Sequence, residues 1–331
     1  MNKCRVCGNE SGNSIHVAKE LQLGLGDEFQ YLECSKCGCL QILEIPADLW
    51  RYYPKHYYSY RSASATLDYS KSGLTGFKQR FLLHALTNYY FGKKGFFGKW
   101  LAGRSILSRD FPLWVRRQRL SLDLRKDSLI LDVGCGKGQL LLDMHAYGFT
   151  NLRGIDPFLD ADVFYDNGVK IYKKAVENME GKFDFIMLNH SFEHMPNQLE
   201  TLLKLRSLLK PKSYLLIRIP IAGSYYQRRY GSNWAALDAP RHLYLHTRES
   251  LNLLATQAGF VVSEVVFDSD GFTHWASEQY VAGISFEDPR SYSVNPNNSI
   301  FKKDDIDGFA ELAAQLNDKG ESDCAAFVLR A

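Results

Sequence analysis

The chain has 331 residues, enough for about two domains with well-packed cores. Apolar residues make up 45%, charged residues 23%, and the net charge is +3, which disfavours intrinsic disorder and a polycation that coats nucleic acid. The first residues, MNKCRVCG, contain no apolar signal segment, and no stretch reaches the ~18 apolar residues of a membrane span, so we predict a cytoplasmic protein.

Two CxxCG patterns lie near the N-terminus, at residues 4–8 and 34–38. The seven cysteines are an odd number and no secretory signal precedes them, so we expect thiols that bind a metal rather than disulfides. A glycine after each pair allows the left-handed turn that directs backbone N–H groups toward the sulfurs. We predict that residues 1–50 form a small module held by one structural zinc, whose four ligands are Cys4, Cys7, Cys34 and Cys37.

A basic and aromatic segment follows at residues 51–126. Its part from 71 to 126 holds 13 lysines and arginines against two acidic residues, and aromatic residues are interleaved with them. We predict a helical connector or lid. Aromatic side chains such as Phe96, Phe97 and Trp100 could make peripheral contact with a membrane or a protein partner.

A regular α/β region, which we place at residues 127–331, begins with an apolar run that ends at Asp132. A glycine-rich turn and an apolar helical spacing follow, and Gly148 marks the end of the helix. This order predicts a strand, a turn and a helix. Glycines in such a turn let the backbone approach a nucleotide-like cofactor closely, and here they are Gly134, Gly136 and Gly138.

A second strand is predicted at residues 151–155, and it ends in Asp156 and Pro157. A carboxylate at this place can accept hydrogen bonds from both ribose hydroxyls of a bound nucleotide. The glycine turn and this acid together leave NAD-type and adenosyl-type cofactors as candidates.

From about residue 125 to the end, the chain resembles a class I S-adenosylmethionine (SAM)-dependent methyltransferase. Residues 129–138 match the family's first motif, in which an acid stands just before Gly-x-Gly-x-Gly, and residues 154–156 match its ribose-binding strand end. Residues 183–188, 208–219 and 325–330 match its later strands. The resemblance implies a seven-stranded, Rossmann-like sheet with helices on both faces, and SAM contacts at Asp132, Gly134, Gly136, Gly138, Asp156, Pro157, Glu177 and Asn189.

The cysteine module, the paired tyrosines of residues 52–58 and the segments 191–194 and 239–247 make the whole chain similar to zinc-containing sugar methyltransferases. Those enzymes modify nucleotide-linked sugars or surface polysaccharides. The sugar C-methyltransferases among them carry a further α/β domain that has no counterpart in this sequence. We therefore expect O-methylation of a carbohydrate, with C-methylation as an alternative, and Tyr57 and Tyr58 as sugar contacts.

The chemistry is expected where the fourth strand ends, because ligands of open α/β sheets lie outside the carboxyl ends of the strands. A sugar hydroxyl must lose its proton to attack the methyl group, and imidazole is the natural base near neutral pH. We predict His194 as the base, His190 as second choice and Glu193 as an orienting or alternative base. His242 is a further candidate, and Arg241 could bind a phosphate or carboxylate of the substrate.

Other interpretations remain open. The letters His190-x-x-Glu193-His194 also match the HxxEH pattern of a zinc peptidase class, although a strand end is the wrong setting for it. The same residues could hold a divalent ion that bridges a substrate diol. The basic segment also fits an RNA methyltransferase, and a non-catalytic scaffold is the last alternative. We expect a small-molecule or glycan substrate rather than nucleic acid.

Overall fold

The computed structural model describes residues 3–54 and 73–331, so the predicted sugar contacts Tyr57 and Tyr58 lie outside the described residues. In the described parts of the chain, the strands form two sheets. The smaller sheet has four strands, in the order β1 (Ser14–Lys19), β2 (Glu28–Glu33), β3 (Leu40–Ile42) and β10 (Tyr244–Leu245).

Within this small sheet the N-terminal cysteine region pairs with the later α/β region. Tyr244 and Leu245 of β10 run antiparallel to Gln41 and Leu40 of β3. The hydroxyl of Thr247 also donates a 2.6 Å hydrogen bond to the carbonyl oxygen of Cys37. Strand pairing and a side-chain hydrogen bond to the backbone thus join the cysteine region to the α/β region.

The basic segment contains three helices in its described part: α1 (Gly73–Phe91), α2 (Phe96–Ala102) and α3 (Leu113–Arg117). Phe91 and Trp114 are buried against the α/β region, whereas Phe96, Phe97 and Trp100 are 88%, 57% and 48% exposed. The predicted helical character agrees with these helices. Over the described residues, no helix combines the length and apolarity needed to cross a bilayer.

The larger sheet has eight strands among the described residues, one more than the seven we predicted. In spatial order they are β11 (Val261–Phe267), β12 (Cys324–Arg330), β9 (Leu209–Pro220), β8 (Phe183–Asn189), β4 (Leu129–Val133), β5 (Asn151–Ile155), β7 (Lys170–Tyr172) and β6 (Val163–Phe164). The additional strand is β6, which pairs antiparallel with β7 at the sheet edge. It is only two residues long, too short for a periodic pattern in the sequence.

The central strands β7, β5, β4, β8 and β9 are parallel, and β12 lies antiparallel between β9 and β11, as predicted for the last strand. Successive side chains of β8 enter two different cores, with Phe185 and Met187 on one face and Ile186 and Leu188 on the other. A strand buried on both faces requires a layer on each side of the sheet.

Helices supply these layers. In the α/β region they are α4 (Gln139–Ala146), α5 (Gln198–Leu208), α6 (Tyr225–Tyr230), α7 (Arg248–Gln257), α8 (Phe272–Val281) and α9 (Lys303–Lys319). Helix α7 begins at a cap, in which the side chain of Thr247 accepts a hydrogen bond from the backbone N–H of Ser250, and Gly259 follows the helix with φ of 78°.

The order of the strands determines where a ligand can bind. The neighbours β4 and β8 continue to opposite sides of the sheet, β4 to β5 and β8 to β9. The crevice of an open α/β sheet opens at the carboxyl ends of two such strands. The residues that follow β4, β5 and β8 therefore define the candidate site.

Candidate active site

The glycine-rich loop after β4 is bound to the carboxylate of Asp156 at the end of β5. The N–H of Gly136 donates to Oδ2 of Asp156 over 2.9 Å, and the N–H of Phe158 donates to Oδ1 over 2.9 Å. Each carboxylate oxygen can accept more than one hydrogen bond, so ribose hydroxyls can still be bound. Asp156 thus shapes the loop in addition to the predicted cofactor contact.

Glycine is required in this loop for two physical reasons. Gly134 and Gly138 have φ of 74° and 82°, where side chains are disfavoured. A Cβ at Gly134 would lie 2.4 Å from Cβ of Ser191, and a Cβ at Gly138 would lie 2.1 Å from Cδ1 of Ile171. The loop is therefore packed closely against its neighbours.

The other predicted cofactor contacts lie along the same edge. Asp132 is the next-to-last residue of β4 and is buried; burial, together with the nearby charge of Asp156, raises the pKa of Asp132 to about 7. Pro157 is exposed beside Asp156, Glu177 is exposed in a short turn after β7, and Asn189 is the last residue of β8. The structure brings these residues to one edge of the sheet, and their contacts with SAM stay predictions.

His190 is held by charged neighbours that the sequence analysis missed. Its Nε2 accepts a hydrogen bond from the guanidinium of Arg218, which in turn pairs with the buried Asp268 at 2.7 Å. A guanidinium can only donate, so the proton of His190 is on Nδ1, which lies 3.4 Å from Oε1 of Glu193. His190 is thus suited to orienting Glu193. An arginine within the apolar second half of β9, residues 215–220, was the signal that could have shown this contact.

Glu193, His194 and His242 form a compact cluster next to the end of β8. Nε2 of His242 is 3.9 Å from Oε1 of Glu193, and the two imidazole rings are 4.8 Å apart. Glu193 is fully buried, and within the described chain neither of its carboxylate oxygens has a hydrogen-bond partner. Burial acts to raise the pKa of Glu193, but His190, His194 and His242 lower it to about 2.

Two backbone carbonyls fix the tautomers of the clustered histidines. Nδ1 of His194 is 2.8 Å from the carbonyl oxygen of Arg241 and 3.2 Å from the hydroxyl of Tyr53, and Nδ1 of His242 is 2.8 Å from the carbonyl oxygen of Ala236. Because a carbonyl only accepts, both Nδ1 atoms carry a proton, and in the neutral form of each ring the lone pair is on Nε2. Burial, followed by His242, lowers the pKa of His194, which favours its neutral form.

The side chain of Arg241 has a different role from the substrate contact we predicted. It is fully buried, with Nη2 2.9 Å from Oε1 of Glu20 and 2.6 Å from Oδ1 of Asp238, while Nη1 donates to the carbonyl oxygen of Tyr52. A guanidinium enclosed in this way is not presented to a substrate anion. It instead joins the N-terminal module to the segment that carries the histidines.

The four predicted cysteine ligands are brought together. Sγ atoms lie 3.7 Å apart between Cys4 and Cys37 and 3.5 Å apart between Cys7 and Cys34. A tetrahedral zinc ion with bonds of ~2.3 Å places its sulfurs about 3.8 Å apart, so the cluster fits this metal. The two glycines that follow the pairs have the expected left-handed φ of 74° and 68°.

Comparisons with known proteins concern the α/β region. A family model described as a methyltransferase domain matches residues 112–265. A ubiquinone biosynthesis O-methyltransferase of Rickettsia conorii is 30% identical over 122 residues, which cover 34% of this chain and 42% of that protein. EEF1A lysine methyltransferase 2 of Danio rerio is 26% identical over 124 residues, covering 31% of this chain and 51% of that protein.

Among solved structures, the cyclopropane synthase MmaA2 of Mycobacterium tuberculosis has a TM-score of 0.41 at 15% identity, over 63% of this chain and 80% of that one. The chain spans only about four-tenths to half of the length of the curated relatives it matches. The family match covers residues 112–265, and the strand order there is that of an open α/β sheet, so this part of the chain is similar to a methyltransferase domain. The matches support the prediction that this part of the chain is a SAM-dependent methyltransferase domain.

Proposed function

We propose that the protein transfers the methyl group of SAM to a hydroxyl oxygen of a carbohydrate, either a nucleotide-linked sugar or a surface-polysaccharide residue. The observation that carries this proposal is the 2.8 Å contact of Nδ1 of His194 with the Arg241 carbonyl oxygen, next to the end of β8, which places the lone pair of the neutral ring on Nε2. A hydroxyl is a weak nucleophile until it loses its proton, and a neutral imidazole of fixed tautomer can accept that proton.

The reaction needs few protein groups. Bound SAM supplies an electrophilic methyl group on its sulfonium sulfur. The glycine loop and Asp156 would hold the cofactor, and the cluster would hold the acceptor hydroxyl in line with the methyl carbon. As the new O–CH₃ bond forms and the S–CH₃ bond breaks, the hydroxyl proton moves to Nε2 of His194. The Arg241 carbonyl stabilises the resulting imidazolium through Nδ1.

Three features support an oxygen atom of a carbohydrate as the acceptor. The Rickettsia relative is named as an O-methyltransferase. The combination of a four-cysteine module with the SAM fold resembles sugar-modifying methyltransferases. Fixed imidazoles suit the deprotonation of a hydroxyl, whereas the carbon nucleophile of a C-methyltransferase would need a more acidic C–H.

We also propose that the four cysteines bind one structural zinc ion. With four thiolates, such a site has no open position for catalysis. Its role would be to hold a module whose own core is small. Elemental analysis of protein purified without chelator should give one zinc per chain from this site, and absence of zinc would contradict the proposal.

The function is tested by transfer of labelled methyl from SAM to a panel of nucleotide sugars, surface glycans and bulk tRNA. We expect label in a carbohydrate, and label in tRNA alone would favour the RNA alternative. His194→Ala should lower kcat by about 100-fold while SAM affinity stays the same. The exposed His16→Ala is the matched control with normal turnover. Near-normal turnover of His194→Ala with saturating acceptor would exclude His194 as the base.

A further inference from the structure

The cluster of Glu193, His194 and His242 has the donors of a second metal site. We propose that these three side chains bind one divalent transition-metal ion through a carboxylate oxygen of Glu193 and the two Nε2 atoms. One donor atom from each residue can be chosen so that all three lie within 4.8 Å of one another. Two imidazoles and one carboxylate are a common set for ions such as Zn²⁺, Fe²⁺ and Co²⁺.

The tautomers of the histidines are those of metal ligands. A histidine that binds a metal through one nitrogen usually donates its other N–H to a carbonyl or carboxylate. His194 and His242 both do so, each with Nδ1 2.8 Å from a backbone carbonyl oxygen. In the neutral form of each ring the lone pair is on Nε2, and one ion could bind both.

The carboxylate gives the second, independent argument. Glu193 is fully buried, and among the described residues neither of its oxygens accepts a hydrogen bond. Burying a carboxylate without hydrogen-bond donors is costly, and such groups are usually paired with a positive charge or coordinate a metal. His190, which is held by Arg218 and directs Nδ1 toward Oε1 over 3.4 Å, would keep the carboxylate in position for an ion.

The charges around the cluster also favour a cation. Nε2 of His242 lies 3.9 Å from Oε1 of Glu193 and 3.7 Å from Oδ2 of Asp238, and Arg241 pairs with Asp238 and Glu20. With neutral imidazoles, this leaves an excess of negative charge in a buried place. A divalent ion would compensate it without protonating either histidine.

The role of the ion rests on the proposed function. Three protein ligands leave coordination positions open, so the acceptor hydroxyl could bind the ion beside them. A hydroxyl bound to such an ion loses its proton more readily than a free hydroxyl does. With such an ion bound, Nε2 of His194 would be a ligand and the hydroxyl proton would pass to solvent; without the ion, Nε2 of His194 accepts that proton directly.

The site is tested with Co²⁺, which reports its ligands by absorption. The full chain is first loaded with Zn²⁺ at the cysteines and then titrated with Co²⁺. We expect one equivalent of Co²⁺ with the d–d bands of a nitrogen and oxygen site and no thiolate charge-transfer band. Glu193→Gln and His242→Gln should each weaken Co²⁺ binding by about tenfold or more, whereas His16→Ala should not change it.

The outcomes separate the two proposals. Absence of the d–d bands, a thiolate-type spectrum, or equal Co²⁺ affinity in the wild type and in folded variants that bind SAM would overturn the metal site. His194→Ala provides a third variant if one of the glutamine variants does not fold. Because Co²⁺ binding is measured without acceptor, a metal-binding protein that methylates no carbohydrate would refute the proposed function alone.

Discussion

Replacing Asp156 by alanine is expected to weaken SAM binding by about tenfold or more, through the loop as well as through the ribose. The carboxylate is 7% exposed and accepts two backbone N–H groups at 2.9 Å. Hydrogen bonds to a charged group contribute about 1.5–3 kcal/mol each. Loss of one such hydrogen bond corresponds to a roughly tenfold weaker affinity for SAM, even if water replaces the second hydrogen bond.

Calorimetric titration with SAM measures this effect directly. The SAM affinity of Asp156→Asn should lie between those of the alanine variant and the wild type, because the amide oxygen can accept only one of the two backbone hydrogen bonds. Asp160→Ala, an exposed acid four residues further along, is the control with normal affinity. Unchanged affinity in a folded Asp156→Ala protein would refute the assignment of the cofactor site.

Further predictions concern stability and the module. Cys34→Ser should remove the cysteine-bound zinc and lower Tm in scanning calorimetry, while SAM affinity is retained. Asp132→Asn should raise the free energy of unfolding at neutral pH. The folded pKa of Asp132, about 7, exceeds the usual 3.8, so its ionisation destabilises the wild type progressively from about pH 4 to 7, by at most about 4 kcal/mol. Urea denaturation of both proteins at pH 4 and pH 7 measures this difference. Arg241→Met should cost about 3–5 kcal/mol, measured in the same way, because it leaves the carboxylates of Glu20 and Asp238 buried without their partner.

The cofactor side of the site was predictable because its signals are local. The apolar run of β4, the glycines after it and the acid that ends β5 lie within thirty residues of one another in the sequence. The strand period and the requirement for glycine at positive φ are properties of short segments. The predicted second strand, 151–155, matches β5 in both of its ends.

The catalytic side was predictable only in part, because its contacts join distant segments. The sequence placed His194 and Glu193 after β8, but the approach of His242 depends on how residues 238–243 fold back on the turn after β8, with the N–H of Leu243 bound to the carbonyl oxygen of Glu193. Residue type also misled the interpretation of Arg241. An arginine suits a substrate anion, and only the fold shows that Glu20 and Asp238 already bind it.

The N-terminal module directly contacts the segment that carries His242, one member of the cluster of Glu193, His194 and His242. The hydroxyl of the buried Tyr31 on β2 donates a 2.9 Å hydrogen bond to the carbonyl oxygen of His242, and β3 pairs with β10 just beyond it. The same segment supplies the Arg241 carbonyl that fixes the tautomer of His194. The glycine loop and Asp156, in contrast, are held by β4 and β5. Loss of zinc or the substitution Tyr31→Phe should therefore lower kcat more than it weakens SAM binding. Either change displaces the imidazoles, whereas the hydrogen bonds of the cofactor loop are unaffected.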